Sequence, residues 1–501
     1  MRAGQLKTWI GRLGAVNAVC FAAHALLSYA LTPVMGLRRT AQLREAESFA
    51  QLAQALDFLG PGVVALVSGR GALAEPEAFL FAYCLPLALS TAVFLALLAL
   101  LARHARDLEA DTARALLRWT ALFAAVSVLA SPALAQDFWL SAAWGRMVVA
   151  GVNPYYADLT HEIARGLPFD DFTRQMTYGP LWALISGAVM WLAGDSALAA
   201  ALLFKLLLAG AWVATATLIW RLLSECSPWS RCAGVAIFGW LPLSVHQTVA
   251  EGHNDVFMVL LVLLWLHWLQ RGHPLRASLA LAASVSIKYV TAPLFLLDLL
   301  YLRYSQGRRI SEYLPRFAAA GALLVLTFGV FYRSTDFFAA TTSMAGWHLF
   351  APSYAVSNVG HLAGIDVKWL AWAVRALFPL LALVSIAGYC RAPSREALWR
   401  AALAIMSAVS FSLVGHVWPW FLLWILALAA LTPQAALARW GLGVALSLPF
   451  PILIFTVPSW TLRMLFIASL IPYAFALAWL LVVPRGWLPP VRATEPNPAG
   501  A

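Results

Sequence analysis

Long apolar blocks separated by short polar segments dominate the chain. Most blocks are about 17–25 residues long, which is the length an α-helix needs to cross a bilayer. They run continuously apolar, whereas the strands of a membrane barrel alternate over about 10 residues. The pattern predicts an all-α, polytopic integral membrane protein with about 13–15 transmembrane or half-membrane helices. The predicted segments are 14–35, 78–102, 117–134, 178–194, 197–220, 232–250, 256–270, 275–287, 291–302, 314–332, 367–389, 398–415, 418–432, 438–457 and 462–484.

The composition excludes the soluble classes of protein. Apolar residues make up 62% of the chain and charged residues 11%, whereas a soluble domain carries about 25% charged residues. There is too little charge to cover a water-exposed surface of this size. A soluble enzyme, a secreted protein and a disordered protein are therefore excluded.

Basic residues give the chain a net charge of +11. Cytoplasmic loops of membrane proteins carry an excess of Lys and Arg, so this charge needs no nucleic-acid partner, and none is expected. Placing the arginine clusters on the cytoplasmic side predicts cytoplasmic N- and C-termini. The external side then holds 135–177, 251–255, the Lys288 turn, 333–366 and 416–420. The arginines concerned are Arg103, Arg106, Arg114, Arg118, Arg221, Arg231, Arg271, Arg276, Arg303, Arg308, Arg309, Arg316, Arg391, Arg395, Arg400, Arg439, Arg485 and Arg492.

Two stretches need a special path if these clusters share one side. The stretch 178–220 must make one net crossing, with one short helix that enters and leaves on the external side. The stretch 275–302 must be a hairpin of two short helices that turns near Lys288 and Pro293. The first segment follows a basic N-terminus, as in a signal peptide, but it is too long for a typical apolar signal region. We therefore interpret it as the first membrane helix.

Four regions follow from this organisation. Residues 1–116 form N-terminal spans with a loop at 36–77 of unknown role. Residues 117–335 form a catalytic membrane module with the external loop 135–177. Residues 336–486 form C-terminal membrane helices with an external loop, and 487–501 is a Pro-rich polar tail expected to be disordered.

Charged side chains at membrane depth cost about 2.5–3.5 kcal/mol each on insertion scales, so they indicate function by default. Asp137 lies at the end of an apolar segment, before a stretch (138–150) whose apolar spacing predicts a helix in the membrane interface. A carboxylate there would lie at the level of the lipid headgroups, beside this amphipathic helix. Capping of the following helix is the equally weighted alternative.

The turn Glu251-Gly252-His253-Asn254-Asp255 joins two apolar segments with almost no loop. A helix cap by Asn254 or Asp255 would not require the other polar groups, so we favour a functional site. A metal site is conceivable from the histidine and carboxylates, but no further ligand spacing supports it. No metal and no cofactor is assigned, and the metal requirement stays open.

Lys288 is a single cation within the predicted hairpin. It must reach water, an acid or a phosphate, and snorkelling to the interface is the alternative to anion binding. The remaining candidates are aromatic or imidazole side chains at headgroup level, where an ordinary aromatic belt is the competing interpretation. They are Tyr155, Tyr178, His416, Trp418 and Trp420.

In this order along the chain, the motifs resemble those of polyprenyl-phosphate-mannose-dependent mannosyltransferases of the glycosyltransferase C superfamily, in particular bacterial alpha-1,6-mannosyltransferases. The Gly252–Asp255 turn and Tyr178-Gly179-Pro180-Leu181 together are the most specific. The chain differs from the family pattern in one respect, because two additional membrane spans precede the catalytic module. The matching segments, spread over 135–425, are Asp137, 151–155, 178–181, 252–255, 287–288 and 418–424.

The resemblance implies a GT-C-like fold and transfer of a sugar, mannose by analogy, from a polyprenyl monophosphate to a hydroxyl of a glycan or glycolipid acceptor. The reaction would invert the anomeric carbon at the outer face of the bacterial inner (plasma) membrane. Matched residue by residue, Asp137 is the general base, with Asp170, Asp171 or Asp255 next in line. We assign Lys288 and His253 to the donor phosphate. The substrate-binding residues are Asn254, Asp255, Tyr155, Tyr178, His416, Trp418 and Trp420.

Two other functions are compatible with a polytopic chain. A transporter or flippase of a lipid-linked sugar or small solute would also contain broken helices and charges at mid-membrane. Against it, no paired repeat is visible and the polar residues gather on one side. A lipid-linked polysaccharide polymerase or ligase would rely on more arginine in its external loops than this chain offers.

Overall fold

The computed structural model describes residues 3–34, 76–132, 136–164, 167, 175–307, 309–344, 350–449 and 462–482. Most of the loop 36–77, the carboxylates Asp170 and Asp171, and the predicted disordered tail lie outside these residues. The described part of the chain is helical and contains no β-strand, which confirms the all-α prediction.

The helices follow the apolar blocks of the sequence, and many begin at proline, whose fixed φ suits the first helical turn. The α-helices are α1 (Ala3–Val34), α2 (Pro76–Arg103), α3 (Ala110–Ser127), α4 (Gln136–Val149), α5 (His161–Ala164), α6 (Pro180–Ala193), α7 (Ala197–Leu222), α8 (Pro228–Gly239), α9 (Pro242–Val245), α10 (Asp255–Gln270), α11 (Pro274–Ile287), α12 (Leu294–Tyr304), α13 (Leu314–Phe331), α14 (Ala339–Met344), α15 (Pro352–Ala363), α16 (Lys368–Arg391), α17 (Arg395–Ala408), α18 (Leu422–Ala429), α19 (Ala436–Ser447) and α20 (Leu462–Val482). Two π-helical turns, His246–Ala250 and Val409–Leu413, and 3₁₀ turns at Tyr289–Thr291, Ile310–Tyr313, Thr335–Phe338 and Pro419–Phe421 complete the described structure.

Six helices in the described ranges are long and apolar enough to cross a membrane. A seventh span results if the two halves of Pro228–Ala250, which are bent by 50° at their break, cross together. Several shorter apolar helices accompany them. The chain is therefore an integral membrane protein, as the composition indicates. The six are Gly4–Ser28, Phe81–Arg103, Ala197–Leu222, Ser311–Phe331, Lys368–Arg391 and Arg395–Leu413.

The stretch 275–302 forms two short helices, as predicted, and their hairpin path in the membrane stays a prediction. Helices α11 and α12 are short and are joined through Lys288 and a 3₁₀ turn at Tyr289–Thr291. The stretch 178–220 likewise forms two helices, the 14-residue α6 and the 26-residue α7.

Helix α4 forms where sequence periodicity predicts a helix, but it does not lie on a lipid surface. Nearly all its side chains are buried against protein. Small residues explain this, because a Cβ added at Gly145 would lie 2.4 Å from the carbonyl oxygen of Ser186 on α6. Such close approach of two helix backbones requires glycine. The Trp182 indole also donates a hydrogen bond of 3.0 Å to Ser141, which links α6 to α4.

Helix α1 packs against α2 and α3, so the N-terminal segment is part of the bundle. Ser90 of α2 donates a hydrogen bond to the buried Asn17 of α1. Further along α1, the buried Ala25 belongs to one apolar cluster with Ala130, which follows α3, and Ala250 of the first π-helical turn.

A buried polar network ties α10 through α13 together. The Asp298 carboxylate on α12 accepts hydrogen bonds from Trp265 at 2.7 Å and Ser278 at 2.5 Å, and it pairs with Arg316 of α13. Arg316 is only 5% exposed. This arginine, grouped by sequence with the cytoplasmic cluster, therefore has a structural partner inside the bundle.

The arginine distribution makes a prediction about sidedness. In a variant without the five native cysteines, Asp158→Cys and Asp366→Cys should react with a membrane-impermeant thiol reagent in intact cells, because both positions are exposed and predicted to be external. Glu225→Cys and Arg271→Cys, exposed at the predicted cytoplasmic ends, should react only after permeabilisation. Reaction of all four in intact cells, or the reverse pattern, would contradict the predicted topology.

Candidate active site

Asp137 lies in the first turn of α4, where the helix dipole favours a negative charge. Its carboxylate Oδ2 accepts a hydrogen bond of 2.9 Å from the Tyr178 hydroxyl. The side chain is 26% exposed. A carboxylate oriented by a phenol and still reachable from outside can accept a proton from an incoming hydroxyl group.

His253 faces Asp137 from the turn between the first π-helical turn and α10. Its Nδ1 lies 4.0 Å from Asp137 Oδ2, and its ring stacks on Trp420 at 3.9 Å between centroids. Burial, and then the nearby charge of Lys288 and the His246 ring, hold the pKa of His253 well below its ordinary value. The imidazole is therefore neutral at physiological pH and can donate one N–H.

Neither Asn254 nor Asp255 acts as a simple helix cap. Asn254 occupies the N-cap position of α10, but its side chain makes no capping hydrogen bond. Within the described residues neither amide atom of Asn254 has a hydrogen-bond partner, although the residue is only 3% exposed. Buried polar groups are almost always paired. This amide is therefore available to a bound molecule.

Lys288 forms a buried ion pair with Asp255. Its Nζ lies 2.7 Å from Asp255 Oδ1, and the two side chains are 12% and 0% exposed. The Trp424 indole donates a second hydrogen bond, of 2.5 Å, to the same oxygen. Lys288 therefore does not snorkel to the interface. Its Nζ also lies 5.0 Å from the Phe421 ring centroid and 5.1 Å from that of Trp424, so aromatic faces surround the ammonium group.

Tyr178 joins the two parts of the site. Its hydroxyl bonds to Asp137, and its ring centroid lies 5.1 Å from Lys288 Nζ. The next residue explains the close fit, because a Cβ on Gly179 would lie 2.2 Å from the Ser286 carbonyl oxygen. The Gly179 N–H donates to the Ile287 carbonyl at 2.8 Å. The Tyr-Gly-Pro motif therefore docks directly beside Lys288.

The other predicted aromatic residues lie around this centre. Trp418 and Trp420 stack at 5.3 Å and only 3° apart, and Trp420 continues the stack to His253. His416 is buried, and its ring centroid lies 5.4 Å from that of Phe421, which in turn contacts Lys288. Tyr155 is buried and donates a 2.8 Å hydrogen bond to the Tyr178 carbonyl, so in this structure it supports Tyr178. A direct sugar contact through Tyr155 or His416 stays a prediction.

A comparison with protein families identifies the group to which this site belongs. The model of the alpha-(1->6)-mannopyranosyltransferase family, N-terminal domain, matches residues 13–302. The chain belongs to that family. Searches of the curated proteins and of the solved structures each gave no match.

This mannosyltransferase is thus a membrane glycosyltransferase, as the sequence motifs indicate. The matched region contains Asp137, Tyr178, the Gly252–Asp255 turn and Lys288. Trp418, Trp420 and Trp424 lie beyond it. The match begins at residue 13 and so covers most of the N-terminal segment 1–116 that the sequence analysis sets apart.

Sequence reasoning did not assign three residues of the mannosyltransferase site. Trp424 and Phe421 were visible only as part of an aromatic-rich helix start, and nothing in their spacing pointed to Lys288. Lys205 on α7 had a clear signal, because it is a cation inside a 26-residue apolar helix, far from Arg221 in the last turn. Its amino group lies beneath the 251–255 turn, where it donates to the carbonyls of Val249 and Ala250 at 3.1 and 2.8 Å.

The position of Gly252 predicts how much stability is lost when a side chain is added in the 251–255 turn. Its φ is +82°, and an added Cβ would lie 2.1 Å from Phe138, the neighbour of Asp137. Gly252→Ala should cost about 1–2 kcal/mol for the left-handed backbone and about 1–3 kcal/mol more for overpacking. Thermal unfolding of the purified protein in detergent measures the loss.

Gly151→Ala is the matched control. Gly151 has a φ of +73° but nothing within 4 Å of an added Cβ, so that variant should show only the backbone cost. Adding Phe138→Leu to Gly252→Ala should recover part of the lost stability, because the ring that the added Cβ meets is then removed. Equal unfolding temperatures for the two alanine variants would show that Phe138 does not hold the turn.

Proposed function

We propose that this mannosyltransferase moves mannose from a polyprenyl monophosphate to a hydroxyl of a glycan or glycolipid acceptor, with inversion at the anomeric carbon and Asp137 as general base. The observation that carries the proposal is the junction at Tyr178. One side chain contacts both a partly exposed carboxylate and a largely buried ammonium group. A proton acceptor and an anion-binding group side by side are what transfer from a phosphate leaving group to a hydroxyl requires.

In this mechanism the acceptor hydroxyl oxygen attacks the anomeric carbon while Asp137 takes its proton. The bond between that carbon and the phosphate oxygen breaks, and its electron pair leaves with the polyprenyl phosphate. Formation of an α-linked product by a single inversion requires a β-linked donor. The Tyr178 hydrogen bond fixes the Asp137 oxygen, so the carboxylate is oriented before the acceptor arrives.

Lys288 and His253 are assigned to the donor phosphate. Lys288 supplies the positive charge, and Asp255 and the Trp424 indole hold its surroundings in place. His253 is neutral and contributes an N–H, not a second charge. Together they stabilise the phosphate as charge develops on the leaving oxygen. No metal is assigned to this step.

Asn254 and the tryptophans are assigned to the sugars. The buried Asn254 amide lies next to His253 and can both donate to and accept from sugar hydroxyls. Trp418 and Trp420 are partly exposed and present flat faces of the kind that pack against sugar rings. We place this side of the protein at the outer face of the bacterial plasma membrane, because the arginine clusters lie at the other helix ends.

The Asp137 base gives the first test of the proposal. Asp137→Asn keeps the size and one hydrogen-bond acceptor for Tyr178 but cannot take a proton, so we expect turnover to fall by about 10²–10⁴-fold with little change in folding. The measurement is mannose transfer from a β-linked polyprenyl-phosphate donor by purified protein in nanodiscs. Asp158→Asn, an exposed carboxylate in the same loop, is the control. Normal turnover by Asp137→Asn would place the base elsewhere.

The Lys288–Asp255 pair gives the second test. Lys288→Met should raise the donor KM about 10–100-fold, as expected for loss of a charged hydrogen bond of about 1.5–3 kcal/mol. Because this change also leaves Asp255 buried without its partner, Lys288→Met/Asp255→Asn is measured beside it. The double variant should keep the high KM. Lys368→Met, whose side chain is 86% exposed, is the control. A normal KM together with a normal turnover number in the double variant would show that the pair is only structural.

A further inference from the structure

Lys205 is a buried cation that the proposed mechanism does not use. It lies within the apolar helix α7 and is 2% exposed. Its ammonium group donates three hydrogen bonds, of 2.5 Å to the carbonyl of Ala130, 3.1 Å to that of Val249 and 2.8 Å to that of Ala250. All three donor positions of the ammonium group are therefore used on backbone oxygen atoms.

The three carbonyls come from two chain segments that each lead into the active site. Ala130 precedes Asp137 by seven positions, and Ala250 directly precedes the 251–255 turn. Ala130 and Ala250 also belong to one buried apolar cluster, together with Ala25. A second contact joins the same segments nearer to the chemistry, where Phe138 packs against the backbone of Gly252.

We propose that Lys205 is a positioning residue that sets the distance between the base and the donor-binding turn. It touches neither substrate in the proposed mechanism, and it acts through the backbone of the two segments it bridges. The inference rests on the proposed function for the identity of the base and the donor site. The hydrogen bonds from Lys205 to the two segments can be tested without any measurement of catalysis.

A buried charge partner offers a competing explanation for Lys205. Glu251 is 1% exposed and attracts the ammonium group, and it also lies 3.7 Å from His246. If Lys205 only neutralised Glu251, removal of both charges together would be harmless, as it often is for buried ion pairs. If Lys205 holds the segments, removal of both would still separate them.

The experiment compares Lys205→Met with Lys205→Met/Glu251→Gln. Methionine keeps an unbranched side chain but donates no hydrogen bond. We expect the turnover number of the folded enzyme to fall about 10–100-fold in both variants, since a shift near 1 Å can cost about 10²-fold. The donor KM should stay within about threefold of wild type, because Lys288 and Asp255 are untouched.

Hydrogen–deuterium exchange on the same proteins tests the bridge without any assay of transfer. Amide exchange should accelerate in peptides covering both 127–132 and 247–253. Arg316→Met/Asp298→Asn is the matched control, because it removes a buried ion pair elsewhere in the bundle, in the α10–α13 network. That variant should keep its turnover number and the exchange rates of both segments.

Recovery of turnover in Lys205→Met/Glu251→Gln would overturn the proposal, and so would unchanged exchange in either segment. Absence of mannose transfer by the wild-type protein would instead count against the proposed function. The exchange measurement would then still decide whether Lys205 holds the two segments together.

Discussion

The ion pair between Lys288 and Asp255 is the interaction on which the arrangement of the site depends. A charge inside an apolar bundle is tolerated only with a partner, and removal of one member of a buried pair typically costs about 3–5 kcal/mol. Asp255 begins α10, Lys288 directly follows α11, and Trp424 on α18 bonds to the same carboxylate oxygen. Three helices must therefore meet at this point, and Tyr178 is held against the ammonium group from a fourth direction.

The sequence could predict the helices and the charged centre because both follow from the cost of placing polar groups in lipid. Continuous apolar blocks gave the spans, and Lys288, His253 and Asp255 stood out as charges or polar groups between them. The predicted topology places the segments of Asp137, His253 and Lys288 on one side, and the structure brings these residues together. The contacts that create the convergence, from Tyr178 and Trp424, have no period or spacing that would reveal them.

Other features were beyond sequence patterns for identifiable physical reasons. Helix α4 has the apolar spacing of an interfacial helix, but it is buried because its backbone approaches α6 closely at Gly145. A single glycine in a sequence does not predict such packing. Asn254 occupies an ordinary cap position, and only the three-dimensional structure shows that its amide does not cap. The N-terminal segment looked separable along the chain, whereas α1 reaches the alanine cluster beneath the 251–255 turn.

The lack of free space around Gly179 and Gly252 has a consequence for how the enzyme tolerates substitution. Asp137, the ion pair and the turn meet through contacts that leave no room for an added methyl group at either glycine. Substitution of these glycines would therefore first disturb the arrangement of Asp137, the turn and Lys288. Trp418 and Trp420, in contrast, are partly exposed and lie beyond residues 13–302, which match the model of the family's N-terminal domain. Under the roles proposed above, a change in sugar preference is therefore expected from substitutions at these two tryptophans and not from substitutions at the tightly packed glycines.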